Sequence, residues 1–353
     1  MPQSPGSLSV CLYHVDNEEA FKGEKAFELY VPINPNLPKS NISFKAFSGI
    51  PVRQVRHRGL SHFSLDANGF QYLQHVFNDG LSMEQIQAPD GEHWVQQYLL
   101  SLHPILMAQL KAKQIILYDY RVRELDSDYA SFPRLATRQL ELPPARWVHA
   151  DESAQGGRQT IREHLVDQEH TEFGNAEGRF RIMNIWRPLV PIIKERPLAL
   201  CDWSTVVSDD WELCDQIHHD RVDEAMYLKR RGHHEWWWLS DQTCDELAMF
   251  VVWDSDKFAK GVQASTPHAA FELPGTSGEH GRQSIEVSWS VSMHQVQVIL
   301  TLHGSNGLVE ELGEIREFRY RVLKAGRDSL LDPLQGPPTG TPTGTPYQDT
   351  PTT

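Results

Sequence analysis

The feature that most constrains the fold of this 353-residue chain is a series of short strand-like segments in its second half. The segments are rich in β-branched and aromatic residues, and turn-forming residues separate them. They are FRIMNIW (180–186), LALCDWSTV (198–206), EAMYLKR (224–230), HEWWWL (234–239), ELAMFVVWD (246–254), HAAFEL (268–273) and SIEVSWSVS (284–292). Many short strands without a longer repeat favour a barrel or a jelly roll over a propeller or solenoid.

The first half adds helices to this β-rich core. Apolar residues recur at every fourth position from Trp94 to Leu106, which predicts a helix over 82–113. The segment QIILYDY (114–120) has the pattern of a buried strand, and the charged segment 158–170 is predicted to be helical. We expect the first helix to pack on a sheet.

The C-terminal segment LQGPPTGTPTGTPYQDTPTT (334–353) has a Pro/Gly/Thr composition that cannot bury apolar surface. We predict that it is a disordered tail. Residues 1–333 are then expected to form a single domain, with the β-rich core at roughly 115–295.

Composition excludes several classes of partner. The formal net charge of −14 leaves no basic surface for nucleic acid or anionic lipid, and no stretch of eighteen uninterrupted apolar residues predicts a membrane span. The four cysteines form no C-x-x-C pair, and the N-terminus lacks a charged start followed by an apolar run. These features predict a cytoplasmic protein whose partner is a small molecule; they set no oligomeric state.

Three places combine histidine with a nearby carboxylate and are candidate metal sites. They are His149-Ala-Asp151, His218-His219-Asp220 and His233-His234-Glu235. Residues i and i+2 of a strand project from one face, so His149 and Asp151 can converge on one ion if a second histidine arrives from a distant strand. Taken alone, each pair is also compatible with an ordinary solvated loop.

The segment after residue 265 supplies the missing parts for the first pair. His268 begins one strand pattern and Arg282 begins another, with Ser284 two residues further on. Two imidazoles and one carboxylate are the facial ligand set of iron(II) oxygenases, and a guanidinium can hold the distal carboxylate of 2-oxoglutarate in a bidentate manner. Taken singly, Arg282 could form a surface ion pair and His268 could be a core histidine. Together with His149 and Asp151 they favour an oxygenase.

The other two histidine pairs fit other interpretations. The stretch DDWELCDQIHHDRVDE (209–224) is too charged for an interior strand, so we interpret it as a solvated connection. His233 and His234 precede three tryptophans, which indicates a strand with aromatic packing or a pocket wall. His218-His219-Asp220 therefore remains an alternative to His149 and Asp151 as the source of the first metal ligands. We expect His233-His234-Glu235 at most to face the substrate.

The order of motifs resembles the hydroxylase/desaturase family that includes gibberellin desaturase and the cephem 7-methoxylase accessory protein. The matching pieces are VHADES (148–153), NIWRPLVPII (184–193), PLALCDWSTV (197–206), DELAMFVVWDS (245–255), PHAAF (267–271) and RQSIEV (282–287). The likeness is weaker in SLDANGFQYL (64–73) and IILYDYRVR (115–123). The resemblance covers most of the folded chain.

This resemblance implies a double-stranded β-helix (jelly-roll, cupin-like) core with flanking helices, and hence an α+β protein. It also implies an Fe(II)- and 2-oxoglutarate-dependent dioxygenase that uses O2, with His149, Asp151 and His268 as metal ligands and Arg282 and Ser284 as the cosubstrate anchor. A basic residue is expected after IEV, where this chain has Ser288. Substrates of the family are small specialised metabolites, which undergo hydroxylation, desaturation or ring closure.

Three further residues are candidates for the substrate pocket. Arg187 stands beside Trp186, where a guanidinium suits a buried carboxylate, although it could equally bridge strands. Tyr227 and Trp236 could line the pocket or simply fill the core. We expect a small carboxylated metabolite, such as an amino acid, as substrate. The alternatives are a non-catalytic accessory subunit and a zinc-dependent hydrolase.

Overall fold

Fifteen strands form most of the structure, a computed structural model that describes residues 6–34, 36–112, 114–124, 141–142, 144–165, 179–259, 265–276 and 281–292. The strands are β1 (Ser7–Val15), β2 (Ala26–Leu29), β3 (Phe44–Gln54), β4 (Phe70–Gln74), β5 (Gln114–Glu124), β6 (Glu141–Leu142), β7 (His149–Ala150), β8 (Phe180–Pro188), β9 (Leu198–Cys201), β10 (Trp211–Ile217), β11 (Val222–Leu228), β12 (Trp236–Trp238), β13 (Glu246–Asp254), β14 (His268–Ala270) and β15 (Gln283–Ser292). The helices are α1 (Met83–Gln87), α2 (Gly91–Leu110), α3 (Ala154–Leu165) and α4 (Ser255–Phe258). Short 3-10 turns include Trp203–Thr205 and Ser208–Asp210.

The strands are arranged in two sheets. Nine strands follow the order β1-β3-β12-β9-β14-β7-β11-β10-β2, and six follow the order β4-β13-β8-β15-β5-β6. Most neighbours are antiparallel and far apart in sequence, as in a jelly roll. The predicted α+β fold with a jelly-roll core is thus confirmed, and its strands begin well before residue 115.

An apolar layer fills the space between the sheets. Leu200 and Trp237 of the large sheet pack with Ile182, Trp186 and Phe250 of the small one. The opposite face of the small sheet carries Met183, Ile185 and Val287, which pack against α2. Both faces of β8 are therefore covered, and all nine of its residues are buried.

The helix predicted over 82–113 is present but interrupted. A capping box between Ser82 and Gln85 begins α1, which ends before Ala88, and α2 starts three residues later at Gly91. The predicted helix at 158–170 corresponds to α3, whose described part ends at Leu165; residues 166–170 lie outside the described residues. No helix in the described part of the chain is long and apolar enough to cross a membrane.

The charged stretch 209–224 is a strand hairpin, which corrects its interpretation as a solvated connection. Trp211–Ile217 pairs along its whole length with Val222–Leu228, and only 218–221 form the turn. Trp211 and Cys214 of β10 are buried, whereas the charged residues Asp223 and Glu224 of β11 border a cleft. A strand with one wet face tolerates such charge.

The proposed tail at 334–353 lies outside the described residues, so its disorder stays a prediction. The same holds for the single domain proposed at 1–333.

Candidate active site

His149, Asp151 and His268 converge in the interior between the two sheets. β7 and β14 are antiparallel neighbours in which His149 lies directly opposite His268, and their ring centroids are 4.3 Å apart. Asp151 follows β7 by one residue. Its carboxylate oxygens lie 3.5 Å from Nε2 of His149 and 3.9 Å from Nε2 of His268. One ligand atom from each residue lies within 4.8 Å of the other two, as binding of a single metal ion requires.

Backbone carbonyls fix the tautomer of both imidazoles. Nδ1 of His149 lies 2.8 Å from the carbonyl oxygen of Trp147, and Nδ1 of His268 lies 3.1 Å from that of Thr266. A carbonyl can only accept, so each Nδ1 carries a proton, and in the neutral ring Nε2 is then the nitrogen whose lone pair can bind a metal. Burial, and then the neighbouring His149, lower the pKa of His268, which favours the neutral ring that a metal ligand needs.

Asn184 orients the third ligand. Its side-chain amide donates a 3.0 Å hydrogen bond to Oδ2 of Asp151 from β8 of the facing sheet. Burial by itself would raise the pKa of Asp151, but the hydrogen bond with His149 and the electrostatic interactions with His268 and Arg121 hold it well below the usual range. The carboxylate is therefore ionised. Two neutral imidazoles and one carboxylate fit iron(II), and they also suit zinc.

Arg282 and Ser284 form a second buried element on the inner face of β15. Arg282 is 3% exposed. Its Nε donates to Oγ of Ser284 at 3.2 Å, its Nη1 donates to the carbonyl of Arg196 at 2.9 Å, and it lies over the ring of Trp186. Burial, and then the charge of Arg123, lower the pKa of Arg282 to about 9.

No carboxylate of the described residues forms an ion pair with Arg282. A buried guanidinium without a carboxylate in direct contact is costly, because burial removes its hydration, and Glu286 acts on Arg282 only electrostatically, without an ion pair. An anionic ligand would remove that cost. The distal carboxylate of 2-oxoglutarate therefore fits this position on the chemistry of the residues present.

Two further charged residues near this anchor were missed in the sequence. Arg123 lies opposite Ser284 in the pairing of β5 with β15, so both side chains share the inner face. Glu286 lies 4.0 Å from Arg123 and interacts electrostatically with both His268 and Arg282. The charge of Glu286 thus acts both on the metal ligand His268 and on the anchor residue Arg282. The alternation of β15 places it on their face, once Arg282 is known to point inward.

A cavity of about 290 Å3 opens at His149 and Asp151, whereas His268 and Arg282 do not line it. The small sheet contributes a polar base, α3 one wall and the β10–β11 hairpin another. Its lining consists of Asp119, Arg121, Ala145, Trp147, His149, Asp151, Glu152, Gly156, Gln159, Thr160, Asn184, Gln216, Asp223, Glu224, Ala225, Tyr227, Glu286 and Ser288. Most of these side chains are polar or charged, so the described part of the pocket suits a polar ligand better than an apolar one.

Glu152 lies in this pocket as a neutral acid near pH 7. Burial, together with the charge of Asp151, raises its pKa to about 8. A 2.8 Å hydrogen bond donated by the Thr160 hydroxyl acts in the opposite direction and lowers the pKa by less. Gly156 makes room for it, because a Cβ at that position would stand 2.5 Å from Oε2 of Glu152. A protonated carboxyl can donate a hydrogen bond to a ligand, which an ionised one cannot.

The three residues expected to contact substrate are placed differently. Tyr227 lines the pocket, and its hydroxyl donates to Glu28 at 2.7 Å. Arg187 lies on the outer face of β8, where Nη1 contacts Nδ1 of His75 at 2.9 Å and the guanidinium lies over Tyr98 of α2. Trp236 is buried in the apolar cluster on the other face of the large sheet. Arg187 and Trp236 thus lie outside the lining of the described pocket, because strand alternation turns both away from it, and their contact with substrate stays a prediction.

The two rival histidine pairs also lie outside this site. His218, His219 and Asp220 belong to the turn of the β10–β11 hairpin. His233 and His234 do not line the pocket; they meet Asp210 instead. Of the three candidate places, the one at His149 is the one that His268 joins.

The chain is similar to known proteins over the span that contains this site. Residues 12–291 match the sequence model of a family described as the oxidoreductase/YMDC permease-like domain, which is more than half of the chain. The chain belongs to that family. Within it the His149, Asp151, His268 and Arg282 positions all fall inside the matched span.

Several relatives of known function are fungal. An alpha-ketoglutarate-dependent dioxygenase, phiK, from a fungal species is 24% identical over 254 residues, 70% of this chain and 84% of that protein. The gibberellin cluster GA4 desaturase of Gibberella fujikuroi is 25% identical over 73% of this chain and 91% of its own length. A hydroxylase/desaturase, CTB9, of Cercospora beticola is 27% identical over 65% and 72%. The resemblance to hydroxylase/desaturase enzymes is confirmed.

A solved structure has the same fold. The iron and alpha-ketoglutarate-dependent endoperoxidase NvfI superposes with a TM-score of 0.68 and 22% sequence identity, covering 82% of this chain and 99% of that one. This likeness confirms the jelly-roll architecture.

Proposed function

We propose that this chain is an Fe(II)- and 2-oxoglutarate-dependent oxygenase that oxidises a small polar metabolite in the 290 Å3 pocket. The observation that carries the proposal is the convergence of His149, Asp151 and His268, together with a buried Arg282 that lacks a carboxylate partner among the described residues. Named relatives supply the class of enzyme and its cofactors.

Each residue of the site has a defined task in this proposal. Nε2 of His149, Nε2 of His268 and the carboxylate of Asp151 would hold iron(II), which supplies oxygen activation when it is bound with its cosubstrate. The carbonyls of Trp147 and Thr266 keep the imidazoles in the ligating tautomer. Asn184 keeps Asp151 aimed at the site.

Arg282 and Ser284 would hold 2-oxoglutarate. The guanidinium neutralises the distal carboxylate, and the Ser284 hydroxyl fixes the guanidinium through Nε. A zinc hydrolase would have no use for this anchor, and a purely structural accessory subunit would have no use for either element. These two alternatives are therefore less well supported.

The pocket lining supports a substrate that carries an amino group, as an amino acid does. Asp119, Asp223 and Glu224 supply carboxylates, and Arg121 supplies a cation within the same lining. Ser288, which stands where the resemblance leads us to expect a basic residue, leaves the described pocket with less positive charge. The four cysteines are all free, which supports a reducing, cytoplasmic setting.

Anaerobic titration tests the proposal. Purified chain is loaded with Fe(II) and then with 2-oxoglutarate, and a weak visible charge-transfer band should rise to one equivalent. His268→Ala should show no band. Iron bound at one equivalent without any band on adding 2-oxoglutarate would contradict the proposal. A panel of amino acids and their N-acetyl derivatives, with succinate release as readout, then tests the substrate class.

A further inference from the structure

A second group of two histidines and one aspartate lies away from the pocket. Nε2 of His233 and Nε2 of His234 lie 2.9 Å and 3.0 Å from the same oxygen, Oδ2 of Asp210. One ligand atom from each residue falls within 4.8 Å of the other two. We propose that Asp210, His233 and His234 bind a divalent transition-metal ion, Zn2+, at a site independent of the oxygenase centre.

The local backbone brings these side chains together. Consecutive side chains of an extended segment point in opposite directions, so neighbouring histidines cannot normally reach one atom. Here Gly232 and His233 form a turn immediately before β12, and both rings reach Asp210. Asp210 closes the 3-10 turn Ser208–Asp210, where its Oδ2 also accepts the backbone N–H of Val207 at 3.0 Å.

Two of the three side chains are buried, and the third is accessible to solvent. The side chains of Asp210 and His234 are 3% and 1% exposed, whereas that of His233 is 50% exposed. Two ligands are therefore held by packing, and the third faces solvent. A metal ion can reach the site past His233, and a water molecule can occupy a fourth position there.

The local charge accommodates a dication. Arg231 forms two hydrogen bonds to Glu18, at 3.1 and 2.9 Å, and approaches Asp210 through Oδ1 at 3.5 Å. Oδ1 is the oxygen that the imidazoles do not use. With neutral rings, two carboxylates and one guanidinium leave one negative charge, so binding of Zn2+ makes the group singly positive.

The distances fit zinc with little movement. Zinc bonds to imidazole nitrogen and carboxylate oxygen of about 2.0–2.2 Å place tetrahedral ligands about 3.3 Å apart. The present separations of 2.9 and 3.0 Å would open by a few tenths of an ångström. A bound ion would join the turn before β10 to the segment before β12, so it would stabilise the folded state by binding to it.

The test counts zinc on the full-length chain. Chelator-treated protein is equilibrated with Zn2+, dialysed, and measured by mass spectrometry of the metal. We expect two equivalents on the wild type, because the His149 centre also accepts zinc, and one equivalent on an Asp151→Ala/His268→Ala variant. Adding His233→Ala to that variant should weaken the retained equivalent by at least about tenfold.

Two further variants separate ligation from folding. His219→Ala, which removes an exposed histidine from the β10–β11 turn, is the matched control and should leave the count unchanged. His233→Cys keeps a metal donor and should retain zinc. In the Asp151→Ala/His268→Ala background, Zn2+ should raise the melting temperature, and His233→Ala should abolish that rise. Failure of this background to bind zinc, or equal binding with and without His233, overturns the inference and leaves the oxygenase proposal intact.

Discussion

The two His/His/Asp groups of this molecule have the same donor atoms and very different surroundings. At the first, His149 and His268 come from adjacent strands between the sheets, and each has its Nδ1 fixed by a carbonyl. At the second, His233 and His234 are neighbours in the chain at a turn, and the first of them is half-exposed. Donor types thus define where an ion can bind, whereas the reaction depends on what else lies there.

The first group lies beside a pocket and near Arg282, which can bind an anion. Arg282 shares the buried interior with the ligands, and Glu286 interacts with both. At the second group the neighbouring cation, Arg231, is already paired with Glu18. We therefore expect only the first group to support turnover of 2-oxoglutarate.

The largest expected effect separates the two groups directly. His268→Ala removes a ligand atom, so it should lower succinate formation by more than roughly 100-fold. Loss of a residue that only hydrogen-bonds to a metal ligand costs up to about that factor. His233→Ala should leave the rate within about twofold, since surface changes away from a site have small effects. Succinate release under saturating 2-oxoglutarate measures both. Similar losses in the two variants would break the comparison.

A smaller effect is expected at the anchor. Arg282→Gln removes a charge-assisted pair of about 2 kcal/mol, so the KM for 2-oxoglutarate should rise about 30-fold while iron binding persists. Arg187→Gln, on the outer face of β8, is the control for losing a buried arginine. An unchanged KM in Arg282→Gln, or an equal rise in Arg187→Gln, would rule out the anchor role.

The residue that orients Asp151 should have a still smaller effect. Asn184→Leu removes its 3.0 Å hydrogen bond and should weaken iron(II) binding about 10- to 20-fold. Asn68→Leu removes a 2.6 Å bond of the same kind to Asp202, which is not a proposed ligand, and should leave iron affinity unchanged. Iron dissociation constants measured anaerobically decide between orientation and general loss of structure.

The smallest effect concerns stability near the second group. Burial lowers the pKa of His14 to about 4, against a hydrogen bond between its Nδ1 and the carbonyl of Leu228. Because the unfolded ring titrates near 6.5, the unfolded state binds the proton first, and stability falls as pH drops from about 6.5 towards 4. Between pH 7 and pH 5.5 this amounts to about 1 kcal/mol.

His14→Gln should lack that component. Denaturant unfolding of both proteins at pH 7 and pH 5.5 gives the difference in pH dependence, and other titrating groups cancel between the two proteins. A variant whose stability falls as steeply as that of the wild type would show that His14 does not titrate in this range.

The sequence predicted the strands of the core and the His149 group well, because apolar strand patterns and i, i+2 spacing are local signals. It could not orient β8. Asn184 and Arg187 lie three residues apart and so face opposite sides, but both sides are buried, and no alternation of polar and apolar residues shows which side holds the site.

The other differences have similar physical causes. β10 was missed because it contains Glu212 and Asp215, which form ion pairs with Lys229 and Lys25, and charge in a sequence does not distinguish a strand with paired charges from a loop. Asp210 is more than twenty positions from His233, so its approach depends on the fold of the β10–β11 hairpin between them. Such long-range contacts have no local signature.

The pairing of β5 with β15 joins residues that are at least 159 positions apart, the separation of Glu124 and Gln283. During synthesis on the ribosome, β5 therefore emerges long before β15 exists. Its other edge can pair with β6, but the edge that pairs with β15 stays without a partner strand until the chain passes residue 292. A product terminated before residue 282 lacks Arg282 and also exposes that edge to other chains. Premature termination should consequently yield aggregates, which chaperones must handle, and not a weakened catalyst.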